Sequence, residues 1–178
     1  MFFQVLPVDG YESVFMDSED DFRMLRELDG TPKSASWVPP RVYRGKGDKR
    51  EPGWAADIPW FTFGLVLRSN AIQVLEDLLV RSGELLPLQD AEGVELWIFN
   101  SRVVPALDEK ASEIWRFKDG RIMNIMSAVI IPSATEGLDL FRVELGGSLF
   151  VSERFADRVR KARLSGIRLV GLRTSPLT

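Results

Sequence analysis

Three acids crowd one short stretch of the chain, NSRVVPALDEKASEIW (Asn100 to Trp115): Asp108, Glu109 and Glu113, with Lys110 and Ser112 between them. An acid, one residue and a lysine form the second half of a magnesium-nuclease arrangement, in which two carboxylates hold the metal and the lysine stabilises developing charge. Asp90 stands upstream as the partner acid. That chemistry needs the acid and the lysine on one side of a strand, whereas PALDEKAS has the composition of a turn or a helix start. The spacing therefore favours a structural role. Asp108 caps the turn that begins at Glu109, accepting backbone N–H bonds, while Leu107, Ile114 and Trp115 point inward. A glycosidase pair would ask only for two carboxylates at a suitable separation, and no pair here is singled out.

A second acidic run, Asp17, Glu19, Asp20 and Asp21, sits in DSEDDFRMLRELDG. It lacks the Gly and the terminal Glu of a calcium loop. It fits a helix start instead, with Ser18 at the N-cap, Asp21 three residues on, Phe22, Leu25 and Leu28 on one face, and Gly30 as the stop. Basic residues gather next: Arg41, Arg44, Lys46, Lys49 and Arg50 against Asp48, with Trp37, Tyr43 and Trp54 nearby. Basic plus aromatic is the composition of a single-strand nucleic-acid surface, and equally of a loop tip. RGKG lacks the spacing of a phosphate loop.

Composition narrows the chemistry further. With no Cys and no His, thiol nucleophiles, thiolate zinc sites and serine–histidine catalysis are excluded. A net charge of −3 offers no general attraction to nucleic acid or anionic membranes. The N-terminus does not read as a secretory signal, and no apolar run approaches the ~20 residues that span a bilayer. At 178 residues, 45% of them apolar, the chain can bury roughly 70% of its unfolded surface.

The elements that must position these residues follow from pattern. MFFQVLPV reads as a strand. Residues 31–59 form a Pro-, Gly- and Trp-rich surface excursion with an edge strand near RVYR. WFTFGLVL reads as one buried strand, and SNAIQVLEDLLVRSG as a helix capped by Ser69 and stopped by Gly83. ELLPL and VELWIFN are strands, SEIWRFKDGRIMNIM is a hairpin turning at Asp119-Gly120, and AVIIP and DLFRVE are strands. SLFVSERFADRVRKARLSGIRLVGL gives a strand, a helix from cap Ser152 to stop Gly166, and a strand. Ser69 to Gly83 and Ser152 to Gly166 are equally long, which matches Ile72 with Phe155 and Leu79 with Ala162. The reading is α+β: a mixed, mainly antiparallel shared sheet carrying two equivalent strand-helix-strand units, with residues 1–59 as an N-terminal part and 60–178 as the main core of one compact domain.

Read in order, WVPP (Trp37 to Pro40), DIPWFTFGLVLRSNAIQVLEDLLVRSGELLPL, LWIFNSRVVPALDEKAS and FRVELGGSLFVSERFADRVRKARLSGIRLV resemble the eleventh family of immunity proteins from bacterial polymorphic toxin systems. The resemblance implies a cytoplasmic, non-enzymatic protein without cofactor or metal, which binds one cognate toxin delivered by a contact-dependent secretion system. It assigns Asn100, Asp108, Ser112, Phe141, Arg142, Ser152 and Gly166 to the scaffold. Toxin contact is expected where loops vary, at Asp17, Glu19, Asp20 and Asp21 and at Trp37, Tyr43 and Trp54. The competing classes are a magnesium- and carboxylate-dependent hydrolase or nuclease and a nucleic-acid-binding module.

Overall fold

The computed structural model describes residues 1–46, 51–135, 137–144 and 147–175; Asp48, Lys49 and Arg50 of the basic cluster lie outside them. Its elements are β1 (Phe2–Pro7), β2 (Ser13–Phe15), α1 (Glu19–Arg26), β3 (Arg41–Gly45), β4 (Trp60–Phe61), β5 (Gly64–Leu67), α2 (Ser69–Ser82), β6 (Gly83–Asp90) and β7 (Glu95–Ser101). There follow β8 (Glu113–Arg116), β9 (Ile122–Ser127), β10 (Val129–Ile130), β11 (Leu140–Arg142), β12 (Leu149–Ser152), α3 (Glu153–Ala162), β13 (Ile167–Gly171) and β14 (Arg173–Thr174). The class is α+β, with mostly antiparallel pairing.

Two larger β structures share the chain with the two-stranded pairs β8–β9 and β10–β14. Strands β2, β3, β6, β7, β5 and β4 close into a small barrel, and β11, β12, β1 and β13 form a four-stranded sheet in that order. Alternation sorts the barrel side chains. Val14, Val42, Phe61, Val66, Leu86, Leu88 and Ile98 fill its interior, joined by Leu25 and Leu28 from and just after α1. Their neighbours Leu65, Leu67 and Phe99 turn outward onto Leu75, Leu78 and Leu79 of α2. The same core takes Phe155, Ala156 and Val159 of α3 together with Phe3, Val5 and Val151 of the sheet. The two helices thus pack together between barrel and sheet, where Arg158 Nη1 donates to the Val74 carbonyl at 2.8 Å and pairs with Asp77 at 3.1 Å. On the other face of the sheet, Phe141 and Phe150 pack with Val104, Ala106, Ile125 and Ile130.

The two strand-helix-strand units are equivalent in topology. β5 and β6 both pair antiparallel with β7, and β12 and β13 both pair antiparallel with β1, so each helix links two parallel strands across an intervening one. The expected shared sheet is instead a barrel and a separate sheet. The equal helix lengths do not hold either. α3 ends at Ala162, which is exposed, and Arg163 takes the left-handed C-cap at φ 55°. Gly166 is not the stop. It has φ +102°, and a Cβ there would lie 2.3 Å from the Ile58 carbonyl oxygen, so glycine is needed for close approach of the backbones. At α2 the N-cap is Arg68, without a side-chain bond; Ser69 is the first helical residue and its hydroxyl donates to Glu95 at 2.7 Å.

Two further expectations change. WFTFGLVL is a hairpin, β4 and β5 around a turn at Thr62 and Phe63, rather than one strand. RVYR is no edge: β3 lies between β2 and β6 in the barrel wall, with Val42 buried. Ser18 caps α1 as expected, accepting from the Asp21 N–H at 3.2 Å. The hairpin turning at Asp119-Gly120 also forms, with the Phe117 N–H bonded to the Arg121 carbonyl at 2.9 Å and Gly120 at φ +87°.

Candidate functional site at the barrel wall and the β8–β9 ribbon

Asp108 sits in a turn. Its Oδ1 accepts from the Ala111 N–H at 3.1 Å, its carbonyl from the Ser112 N–H at 2.9 Å, and its Oδ2 from the Ser175 hydroxyl at 2.6 Å. The Ser175 bond, then the Ala111 N–H, hold its carboxyl below the ordinary range. Ser112 returns the link, its hydroxyl oxygen accepting from the Val129 N–H at 2.9 Å. Trp115 departs from expectation: it is 54% exposed, because β8 presents it on the face opposite Ile114 and Ile125. Glu109 pairs with Arg116 at 2.6 Å.

Asp90, the other acid of the proposed metal pair, is bound up with cations and N–H groups. Arg44 reaches Asp90 at 3.1 Å, Glu12 at 2.9 Å and Glu92 at 2.7 Å. Asp90 Oδ2 accepts from the N–H groups of Glu92 and Val94 at 2.9 and 3.1 Å. Burial pushes the Asp90 carboxyl up, but Arg44 and these N–H groups outweigh it and hold the group below its ordinary value. Glu12, only 3% exposed, also accepts from Arg68 and from the Ala56 N–H. Arg44 is therefore part of the scaffold and not of a basic loop tip. Among the described residues no group of acids is placed to hold a metal ion.

The expected contact residues separate. Asp17, Asp21 and Tyr43 come together with Ser18, Arg41 and Asp90 around a cleft of about 460 Å³ on the barrel. Glu19 and Asp20 lie beside it on α1, exposed and within ion-pair reach of Arg23. Trp37 is instead half-buried on the barrel core, its indole N–H donating to the Pro87 carbonyl at 2.8 Å. Trp54 is 68% exposed and stands edge-on to Tyr11, away from the cleft.

Two of the residues assigned to the scaffold, Asn100 and Arg142, meet the segment that follows α1. Asn100 Oδ1 accepts from the Gly30 N–H at 2.7 Å, and Asn100 Nδ2 donates to the Thr31 carbonyl and to Glu84 at 2.8 and 3.0 Å. Arg142, 1% exposed, donates to the carbonyls of Leu28 and Phe63. Burial lowers its pKa to about 10, and its Nε has no partner among the described residues. Phe141 packs edge-on to Phe2 in the third core. Ser152 caps α3 through the Phe155 N–H at 3.2 Å, and its hydroxyl donates to Asp139 at 2.6 Å.

A second surface lay outside the sequence expectations. Among the described residues β8 and β9 pair only with each other, and Trp115, Met123 and Met126 on them and Phe117 at their turn are all exposed. Arg121 lies over the Phe117 ring at 5.5 Å. Exposed aromatic, Met and Arg side chains in one patch are the composition of interface anchors. On β8 Ile114 stands beside Trp115, and on β9 Ile122 stands beside Met123 and Ile125 beside Met126, so apolar type alone does not separate the inward from the outward face.

Residues 89–173 match the model of an immunity protein family (Imm11). The Imm11 match runs from the end of β6 to the start of β14. It takes in β7, the β8–β9 ribbon, α3 and every strand of the four-stranded sheet except β1. It contains the pieces LWIFNSRVVPALDEKAS and FRVELGGSLFVSERFADRVRKARLSGIRLV, and leaves most of the acidic cleft outside. No curated protein matches the chain. No helix of the described residues is long and apolar enough to cross a membrane.

Proposed function

We propose that this chain is an immunity protein that binds a cognate bacterial toxin in the cytoplasm and blocks it stoichiometrically, without catalysis. The observation that carries the reading is the Imm11 match over residues 89–173. The geometry of Asp90 and Asp108 supports it, since the carboxylates with the best claim to chemistry are engaged with Arg44, Ser175 and backbone N–H groups. A stable inhibitory interface buries about 1,600 Å² in total around a few aromatic and arginine anchors. Its proposed centre is the cleft of Asp17, Asp21 and Tyr43 with the neighbouring Glu19 and Asp20, and Trp54, exposed away from the cleft, is a separate proposed contact. The β8–β9 ribbon is the second location, favoured by its four exposed apolar side chains.

The test is co-expression with the toxin encoded beside the gene, scored by survival and by co-purification in equal amounts. Asp17→Lys with Asp21→Lys weakens binding if the cleft is the centre, and Trp115→Ser with Met126→Ser does so if the ribbon is. A chain that fails to protect against that toxin and forms no complex with it overturns the reading.

A further inference from the structure

We propose that the free edge of β13 is a separate docking surface, built for an extended acidic segment of a partner polypeptide. The proposal goes beyond the toxin reading and does not rest on it. β13 is the last strand of the four-stranded sheet, and among the described residues it pairs only with β1. The Leu172 N–H bonds to the Phe2 carbonyl at 2.9 Å. Alternation along an antiparallel pair then turns the peptide groups of Val170 and Arg168 toward β1, and those of Leu169 and Gly171 toward the open side. An open row of N–H and C=O groups is what an added strand pairs with.

The flank of that edge is basic. Between Glu153 and Arg173 there are seven basic residues and two acidic ones, against a chain whose net charge is −3. Arg160, Arg163 and Arg168 converge on a groove of about 420 Å³ between the end of α3 and β13, with Val8, Leu164 and Leu169 as apolar walls. Arg160 is partly engaged, 3.4 Å from Asp157 and stacked over the Phe3 ring at 4.8 Å. Arg163, Arg168 and Lys161 have no carboxylate within 4.0 Å among the described residues, and Arg168 Nε reaches only the Pro7 carbonyl at 3.3 Å.

A single outward charge on an edge strand is a common guard against aggregation. Three arginines gathered on one groove beside the open backbone exceed that need. Nucleic acid would use the charge alone, because it has no alternating N–H and C=O row to pair with Leu169 and Gly171. An acidic strand uses both, placing its carboxylates against Arg163 on the helix side and Arg168 on the other.

A blocked peptide of repeated Glu-Glu-Val-Val, whose neighbouring glutamates fall on opposite faces of a strand, tests this, titrated into the full chain by calorimetry. Binding is expected, weakening with added salt and lost by about tenfold or more in the Arg163→Glu, Arg168→Glu variant. Gly171→Pro removes an open-side donor while leaving the β1 ladder intact, and a Cβ there meets only Phe3 at 3.8 Å; it is expected to weaken binding too. Should Gly171→Pro unfold, the same peptide N-methylated at alternate residues asks the same question from the ligand side. No binding of the peptide, equal binding of its N-methylated form, or tighter binding of a single-stranded oligonucleotide would each overturn the proposal.

Discussion

The Oδ1 atom of Asn100, in a fully buried position on β7, accepts the N–H of Gly30 at 2.7 Å and so ties the segment after α1 to the barrel. Gly30 has φ +86°, and a Cβ on it would lie 2.6 Å from Arg102 Cα, so the loop approaches β7 as closely as only glycine allows. Replacing Asn100 with Leu strands the Gly30 N–H and the Thr31 carbonyl. The expected loss is about 3 kcal/mol of stability, read from urea midpoints. Asn100→Asp keeps the acceptor but sets a carboxylate beside Glu84, so its loss should shrink on mild acidification while that of Asn100→Leu should not.

Arg142 is a buried cation held by two carbonyls rather than by an acid. Its pKa, lowered to about 10 by burial, records the cost of keeping that charge away from water. Replacing a buried ion by an apolar side chain of similar volume is often nearly neutral. Arg142→Met is therefore expected to cost about 1–2 kcal/mol, for the carbonyls left without donors. Arg142→Ala adds a cavity and should cost about 4 kcal/mol. Equal losses in the two variants, measured by chemical denaturation, would show that the charge and not the volume matters.

The elements were legible where a local signal fixed them. Ser18 before Asp21, Asp119-Gly120 in the hairpin and Ser152 before Phe155 each mark a boundary through a bond within a few residues. What the sequence hid is long-range. Trp37 and Val42 sit in a Pro- and Gly-rich stretch without period, yet both are held by β6 and the barrel core, some 50 residues away in the chain. The split into barrel and sheet was invisible for the same reason, since strand order depends on partners and not on pattern. For the site, the acids near Asp17 and the aromatic Tyr43 were visible as types, while their meeting in one cleft was not.

Stability should fall in acid through carboxylates that are hydrogen-bonded in the fold. Asp57 is the clearest. Burial opposes its charge, yet the Ser165 N–H at 2.7 Å, Asn70 and the Ser165 hydroxyl at 2.8 Å outweigh it and lower its pKa. A carboxyl depressed in the fold contributes its full stability above the unfolded value near ~3.9 and loses it as pH falls through the lower folded value. Asp90 acts in the same direction. With no histidine in the chain, urea midpoints should stay level from about pH 7 to 5 and drop below about pH 4. The gap between wild type and Asp57→Asn should close over that same acid window.

Asp108 gives a sharper separation of stability from function. It joins its own turn to Ser175, which follows β14, through a 2.6 Å hydrogen bond. Asp108→Asn and Ser175→Ala should each lower the melting temperature. The double variant should fall by less than the sum, because both singles break one shared bond. Protection against the toxin should persist in all three at temperatures where they stay folded. Loss of protection in a folded Asp108→Asn protein would return this carboxylate to a direct role.

Trp115 and Met126 are exposed on the β8–β9 ribbon, while Ile122 and Ile125 hold it to the third core. Side chains so exposed contribute little to folding, and surface substitutions of this kind usually stay within about 0.5 kcal/mol. Trp115→Ser is thus expected to leave the urea midpoint almost unchanged, whereas Ile125→Ala, which empties part of the core, should cost about 2–4 kcal/mol. If the ribbon contacts the toxin, Trp115→Ser weakens the complex by about 2 kcal/mol or more, as an anchor residue would, and does so mainly through faster dissociation. Surface plasmon resonance on immobilised toxin separates the two rates. A Trp115→Ser protein with unaltered stability and an unaltered dissociation rate leaves the acidic cleft as the contact and removes the ribbon from it.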